Sequence, residues 1–347
     1  MDAVAQMTSR ERAQLFEAAE ARHVPRISAS VIEKDFWVCW TLRRLYEVLQ
    51  FRPRPIFKGG TSLSKVFNAV DRFSEDVDLS LSRRDLGYAD ERDPERVGIT
   101  KQERRRRIDD LTTQCQKIVR ERLIPGLRQD FSAVLGSSGW GVTLDVSDPL
   151  TVIFSYPPSH LTNALSYIRP AIRLEMGARS DDWPMIAAEI KPYAADVFPG
   201  MFTFPTCKVD ALDAVRTFWE KATILHAEYH RPPHKPSRER LSRHYYDLYC
   251  LSNQEIGDQA LKRNDLLKRV VQHKRHFFAQ AWASYDTAQP GSFHLVPMGS
   301  RIDELQKDYA AMRPMIFGEF PSWDNIQRRL RQLESQINDI FKGNKFS

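Results

Sequence analysis

Cysteine is sparse in this chain, and the four present, Cys39, Cys115, Cys207 and Cys250, stand far apart with no Cys-x-x-Cys pair. That scatter excludes a zinc ribbon and a disulfide framework, and reduced, mostly buried thiols are expected instead. Long apolar runs are missing too: no stretch approaches the roughly 20 residues a membrane-spanning helix requires. The first residues, MDAVAQMTSRERAQLF, lack the short apolar core of a signal peptide. No membrane association and a cytoplasmic location are therefore expected. There is no G-x-S-x-G elbow, no Walker A loop and no G-x-G-x-x-G fingerprint, which removes serine hydrolase, P-loop ATPase and dehydrogenase chemistry. His226 and His230 are spaced as zinc ligands on a helix can be, but HAEYH lacks the glutamate of H-E-x-x-H and no third ligand is evident. Internal repeats and low-complexity tracts are also absent.

What is present is an ordinary globular composition. The 347 residues, 42% hydrophobic and 28% charged, suffice for two cores. A formal net charge of +6 and a pI near 9.1 suit a polyanionic partner without requiring one.

The most informative stretch is FKGGTSLSKVFNAVDRFSEDVDLSL, residues 57–81. Ile56 and Phe57 end a predicted strand, Gly59 and Gly60 permit a tight turn, and Thr61 and Ser62 are expected to cap the helix that follows. Backbone N–H groups and the dipole at such a helix start favour an anion. Leu63, Val66, Phe67 and Val70 recur at helical spacing and give that helix an apolar face. The next predicted strand, Asp76 to Leu81, alternates Val77, Leu79 and Leu81 on one face with Asp76, Asp78 and Ser80 on the other. Two carboxylates on one face repel, and a hard divalent cation such as Mg²⁺ relieves that repulsion while keeping sites for substrate phosphates. A phosphate turn beside a two-carboxylate strand is what in-line displacement at a nucleoside triphosphate requires.

These residues resemble the nucleotidyltransferase fold of the DNA polymerase beta type and, within it, the AbiEii/AbiGii toxin family that includes the MenT toxins. VIEKDFWVCWTLRRLYEV at 31–48 is similar to the family's N-terminal helix, and KGGTSLSKVF and RFSEDVDLSL to its first motif. EKATILHAEYH is similar to its lysine motif and SRHYYDLYCL to its aspartate motif. The resemblance implies an α+β fold: a mixed-sheet nucleotidyltransferase domain over 51–200, preceded by N-terminal helices over 1–50 that pack on the core, and followed by a C-terminal helical bundle over 201–347. It also implies a toxin of a toxin–antitoxin or phage-defence pair, with a cognate antitoxin. Its substrate would be an NTP, its cofactor Mg²⁺ or Mn²⁺, and its acceptor an RNA, for MenT members the tRNA 3′ end. Nucleotidylation of a protein or small molecule, and a non-catalytic NTP-binding scaffold, are the alternatives.

Within that resemblance Asp76 and Asp78 are the expected metal ligands and catalytic carboxylates. A third carboxylate on a neighbouring strand is usual for the fold, and the alternation in Ile172-Arg173-Leu174-Glu175-Met176 offers Glu175, with Asp145 as the other candidate. Gly59, Gly60, Thr61 and Ser62 form the expected phosphate cradle, flanked by Lys58 and Lys65. The lysine motif assigns Lys221 to the triphosphate, and the aspartate motif adds Asp247, for which a helix-face pair with Arg243 is the bland alternative. Glu33, Lys34 and Asp35 are expected to brace the site. Two basic runs, Lys101 with Arg104 to Arg107, and Arg231, Lys235, Arg238, Arg240 and Arg243, could meet an RNA backbone, although Glu103, Asp109 and Asp110 partly neutralise the first.

Elsewhere, helices are predicted over 8–22, 28–50, 100–123, 211–230, 240–254, 257–286, 299–314 and 323–342. Further strands are predicted over 130–135, 140–146, 151–156 and 167–176, with a region free of obvious strands beyond a boundary near 195–205.

Overall fold

Strands β1 (Pro55–Lys58) and β2 (Asp76–Leu81) run antiparallel in the middle of a seven-stranded mixed sheet of order β3-β4-β5-β2-β1-β7-β6. The computed structural model describes residues 1–74, 76–162, 169–299 and 301–340. The other strands are β3 (Gly141–Leu144), β4 (Thr151–Ser155), β5 (Ala171–Gly177), β6 (Met185–Ile190) and β7 (Cys207–Leu212). β5 lies parallel to β2 and β7 parallel to β1, while the β3/β4, β4/β5 and β6/β7 pairs are antiparallel. Val77, Leu79 and Leu81 are fully buried, so the alternation of β2 turns one face into the core and leaves Asp76 and Asp78 partly exposed on the other.

Two units divide the chain, one comprising Met1–Val66 and Phe73–Leu212 and the other Phe67–Arg72 and the residues from Asp213 onward. The first unit holds the sheet with α1 (Asp2–Ala5), α2 (Ser9–Arg22), α3 (Ala29–Arg43), α4 (Gly59–Lys65), α5 (Lys101–Ile118), α6 (Ile124–Leu135) and α7 (Tyr193–Val197). Thr8 and Glu11 close a capping box at the start of α2. α3 is buried on nearly every side, including Glu33, Lys34 and Asp35, and runs on through a π-helical turn at Arg44–Val48. Its Trp37 and Trp40 pack into an aromatic cluster, with Trp40 and Phe131 ring centres 4.6 Å apart and Phe131 and Phe154 4.7 Å apart. Such rings bury roughly 150–250 Å² each and dominate a core of this size.

The predicted strand at 130–135 is instead the last part of α6. Ile124, Leu127 and Phe131, all buried, recur at steps of three and four, so the helical period governs, and the helix stops at Gly136 with φ +78°. The stretch beyond 205, expected to lack strands, returns to the sheet as β7 and pairs with β1 and β6. β6 was also not anticipated; of its residues only Ile190 is buried, which weakens its sequence signal. Residues 167 and 168 of the predicted fourth strand lie outside the described residues, as do Ser300 and residues 341–342 of the predicted last helices.

The second unit is helical, with α8 (Ala214–Tyr229), α9 (Ser242–Ser252), α10 (Glu255–Leu261), α11 (Asn264–Phe277), α12 (Arg301–Ala311) and α13 (Trp323–Asp339). In place of the helix predicted over 257–286 stand α10 and α11, broken at Arg263, whose backbone leaves the helical region, and 278–286 lies beyond the end of α11. Ile326, Leu330, Leu333 and Ile337 of α13 are all fully buried, as their spacing requires. Among the described residues no helix is long and apolar enough to cross a membrane.

His226 is fully buried in this unit, and its environment fixes its proton. Its Nε2 faces the Ser284 carbonyl at 3.1 Å and Nδ1 accepts from the His294 backbone N–H at 3.1 Å, so the neutral ring carries its proton on Nε2. Burial pushes its pKa down to about 4 from 6.5; the Ser284 bond opposes that shift, and the rings of His230 and His294 reinforce it. The folded ring resists protonation, so its contribution is complete above pH 6.5 and is lost as the pH falls toward 4. At most about 3 kcal/mol rides on this group. Urea unfolding at pH 7 and pH 5 should show a larger acid loss for the wild type than for His226→Gln; equal losses would remove His226 as the cause.

Candidate active site

The turn between β1 and α4 is set by one glycine. Gly59 has φ +78°, and a Cβ placed there would lie 1.9 Å from Oδ2 of Asp78 and 2.7 Å from its Cγ. Any other residue would be strained by its backbone and would collide with the carboxylate, so the sequence brings the turn into direct apposition with Asp78. Lys58 sits opposite Asp78 in the strand register, with its ammonium 3.7 Å from Oδ1.

Thr61 and Ser62 do not cap the helix, because α4 begins at Gly59 with Lys58 at the cap position and both hydroxyls fall inside the first turn. The Thr61 hydroxyl donates to the Asp76 carbonyl, tying α4 to β2, and the Ser62 hydroxyl donates to the Gly59 carbonyl at 3.0 Å. Gly60, Thr61 and Ser62 are buried. The first N–H groups of a helix have no intrahelical acceptor, and those of α4 follow directly from the Gly59 turn.

Lys65, expected beside the cradle, is buried and turned to the other side. Its ammonium lies 2.7 Å from Oδ1 of Asp35 and 3.7 Å from the centre of the Tyr193 ring. Oδ2 of Asp35 accepts the Tyr193 backbone N–H at 2.7 Å, and the Tyr193 hydroxyl is 3.1 Å from that of Ser64. Glu33 accepts the Ser159 N–H at 2.7 Å, and the Lys34 ammonium stands over the Phe73 ring at 5.6 Å. α3 is thus tied to α4 through the buried Asp35–Lys65 pair.

On the polar face of β2, Asp76 stands opposite Arg173 and Asp78 opposite Glu175 across the parallel pairing with β5. The Arg173 guanidinium is 3.4 Å from Asp76 and 2.7 Å from Asp145. Asp145 also accepts from the Ser147 hydroxyl and N–H, and these bonds, with Arg173, lower its pKa to about 2. Glu175 is therefore the neighbour of Asp78 in register, and Asp145 is bound by Ser147 and Arg173. Arg173 serves here as an internal cation for a carboxylate face, and hard oxygen donors of this kind suit Mg²⁺ or Mn²⁺ completed by substrate oxygens. Among the described residues no three His, Cys, Asp or Glu side chains are grouped closely enough to hold a metal by themselves.

In the helical unit, Lys221 and Asp247 meet. The Lys221 ammonium is 2.6 Å from Oδ2 of Asp247 and 3.4 Å from Nδ1 of His244, and Lys221 and Asp247 are both buried. The Arg72 guanidinium grips the same carboxylate through both oxygens, at 2.6 and 2.8 Å. Burial alone would raise the Asp247 carboxyl, but Arg72 and Lys221 outweigh it and hold it below the usual carboxylate range. Burial lowers the Lys221 ammonium, Asp247 pulls it back up, and Arg72 and Arg243 push it down further. Arg72 and His244 were not identified from the sequence; only Arg72's place within the RFSEDVDLSL motif hinted at a role.

Charges of both basic runs are engaged by neighbouring groups, Arg231 of the second by Glu228 at 3.4 Å. On α5, Arg106 and Arg107 both bind Glu103, at 2.9 and 2.7 Å, and Arg104 donates to the Pro94 carbonyl. In the second run Arg231 stacks 5.0 Å from the Trp282 ring, Arg238 reaches Glu228 at 3.1 Å, and Arg301 clamps the carbonyls of Arg231, Pro232 and Lys235. That loop is held in shape beside an aromatic ring, which suits phosphate and base contacts better than α5 does.

Fold and carboxylate strand together define a chain of the nucleotidyltransferase class. The profile of the nucleotidyl transferase AbiEii toxins of type IV toxin–antitoxin systems matches residues 40–329, and the chain belongs to that family. Among solved structures it is similar to MenT4, a nucleotidyltransferase toxin from Mycobacterium tuberculosis H37Rv. The identity is 16% and the TM-score 0.50, over 94% of this chain and 89% of that one, which supports the fold. No curated protein sequence matches.

Proposed function

We propose that this family member transfers nucleotides from an NTP to an RNA 3′ end, that of tRNA, releasing pyrophosphate, and that a cognate antitoxin restrains it. The observation that carries the reading is that Gly59 leaves no room for a side chain beside Asp78, since a Cβ added there would lie 1.9 Å from Oδ2, which makes turn and carboxylate a single unit. The N–H groups that open α4 receive the triphosphate, with Lys58 beside them. Asp76 and Asp78, with Glu175 across the strand, would hold Mg²⁺ or Mn²⁺, which when bound supplies charge neutralisation at the transferred phosphate. Lys221, through its lysine motif, neutralises the triphosphate, and the Arg231–Arg240 loop contacts the RNA backbone. The acceptor oxygen bonds to the α-phosphorus as the bond from that phosphorus to the bridging β-oxygen breaks, the hydroxyl proton leaves to solvent, and pyrophosphate departs.

Total RNA, incubated with the protein and each labelled NTP in turn, should become labelled at 3′ ends, and sequencing the labelled ends identifies the acceptor. Asp78→Ala should lower transfer about 100-fold, equivalent to about 2.7 kcal/mol of barrier. Undiminished transfer would remove Asp78 from the chemistry, and label on protein in place of RNA would reassign the acceptor.

A further inference from the structure

Among the described residues, the Asp247 carboxylate is bound by two cations. Oδ1 accepts from Nε of Arg72, and Oδ2 accepts from both the Arg72 guanidinium and the Lys221 ammonium, all in a fully buried setting. A carboxylate held between two cations has its ionised form favoured, which makes it a weak base toward an acceptor hydroxyl. The Lys221 ammonium has three protons, of which Asp247 and the His244 Nδ1 take two. The third can meet a phosphate oxygen.

Arg72 is fixed independently. Its segment, Phe67–Arg72, clusters with the helical unit: the Gln254 amide donates to the Ala69 carbonyl at 3.0 Å, the Phe317 N–H to the Asp71 carbonyl at 2.9 Å, and Arg72 bridges to Ile316. The same six residues follow α4 in sequence and end four positions before Asp76.

We propose that Asp247 and Arg72 are positioning residues for Lys221, Asp247 holding the ammonium and Arg72 holding Asp247, and that Asp247 is neither a general base nor a metal ligand. This rests on the assignment of Lys221 to the triphosphate. Charged and titratable groups around Lys221 are Asp247, His244 and Arg243 on α9 and Arg72 in the connecting segment. Neutralising Asp247 removes the anion that keeps Lys221 protonated, whereas removing Arg72 takes away a competing cation, so the two changes act in opposite directions on Lys221.

The test reads Lys221 directly. In the full-length protein with ¹³Cε-labelled lysine, its resonance assigned with Lys221→Arg, the titration midpoint should fall by about one unit or more in Asp247→Asn and rise in Arg72→Met. The alkaline limb of the pH profile for nucleotide transfer should move the same way. Either variant alone decides the matter if the other does not fold. A midpoint unmoved in both would overturn the inference, as would wild-type transfer and an unshifted profile in Asp247→Asn. Absence of transfer by the wild type would overturn the proposed function instead, because the titration is read without substrate.

Discussion

Gly59→Ala is expected to lower nucleotide transfer about 10²- to 10³-fold while leaving a folded protein, since a displacement of about 1 Å at a reacting centre can cost a hundredfold. Two effects combine. The backbone at φ +78° costs an alanine about 1–2 kcal/mol relative to glycine. The new methyl would also lie 1.9 Å from the Asp78 carboxylate, far inside van der Waals contact. The side chain of Asp78 can swing away more cheaply than β1 or α4 can shift, so the fold survives. The carboxylate then leaves both Lys58 and its place beside the turn. Gly177→Ala is the control: Gly177 ends β5 in register with Ser80, and its Cβ would meet nothing within 4 Å. Circular dichroism should leave both variants close to wild type, with transfer lost only in Gly59→Ala. Equal activity in the two would mean that the contact between turn and carboxylate does not matter to the reaction.

This turn was legible because its signals are local. Paired glycines after an apolar strand end, then a helical period, then a two-residue alternation, specify strand, turn, helix and strand within a single short stretch, although the helix ends at Lys65, short of the Phe67 and Val70 expected on it, and the sheet, mixed as expected, takes in β6 and β7 and not 130–135. Local signals also misled. Residues 130–135 mix apolar and polar side chains in a way that suits a short strand, and only the spacing back to Ile124 and Leu127 reveals the helix. β7 follows a proline-marked stretch, and its pairing with β6 on one side and with β1, from a distant part of the chain, on the other holds it in the sheet. The partners of charged groups were the least accessible. Arg72 and Asp247 lie 175 positions apart, and nothing in either neighbourhood names the other. Lys221 and Asp247 were singled out through family resemblance, since a lysine on a helix is ordinarily a solvated charge. Lys65 was expected beside the phosphates on sequence proximity alone. A seven-residue helix has too few turns for proximity to fix a face, and Lys65 points to Asp35.

That pair supports the second large effect, this time on stability. Asp35→Ala should destabilise the protein by about 3–5 kcal/mol, because it leaves the Lys65 ammonium buried without its carboxylate. Both side chains are nearly inaccessible, at 6% and 4% exposure, so water cannot take the place of Asp35. The Tyr193 ring face, 3.7 Å from the ammonium, compensates only in part, and the Tyr193 N–H loses its acceptor as well. Thermal unfolding should show a Tm lower by about 8–15 °C for a unit of roughly 200 residues. The double variant Asp35→Leu with Lys65→Met should recover much of the loss, since a buried ion pair replaced by apolar groups of similar volume is often neutral. If the double variant were as unstable as Asp35→Ala, the unpaired charge would not be the cause, and the lost hydrogen bond to Tyr193 would carry the effect. Recovery of stability with transfer still impaired would show that the pair also sets the orientation of α4, and with it the turn at Gly59.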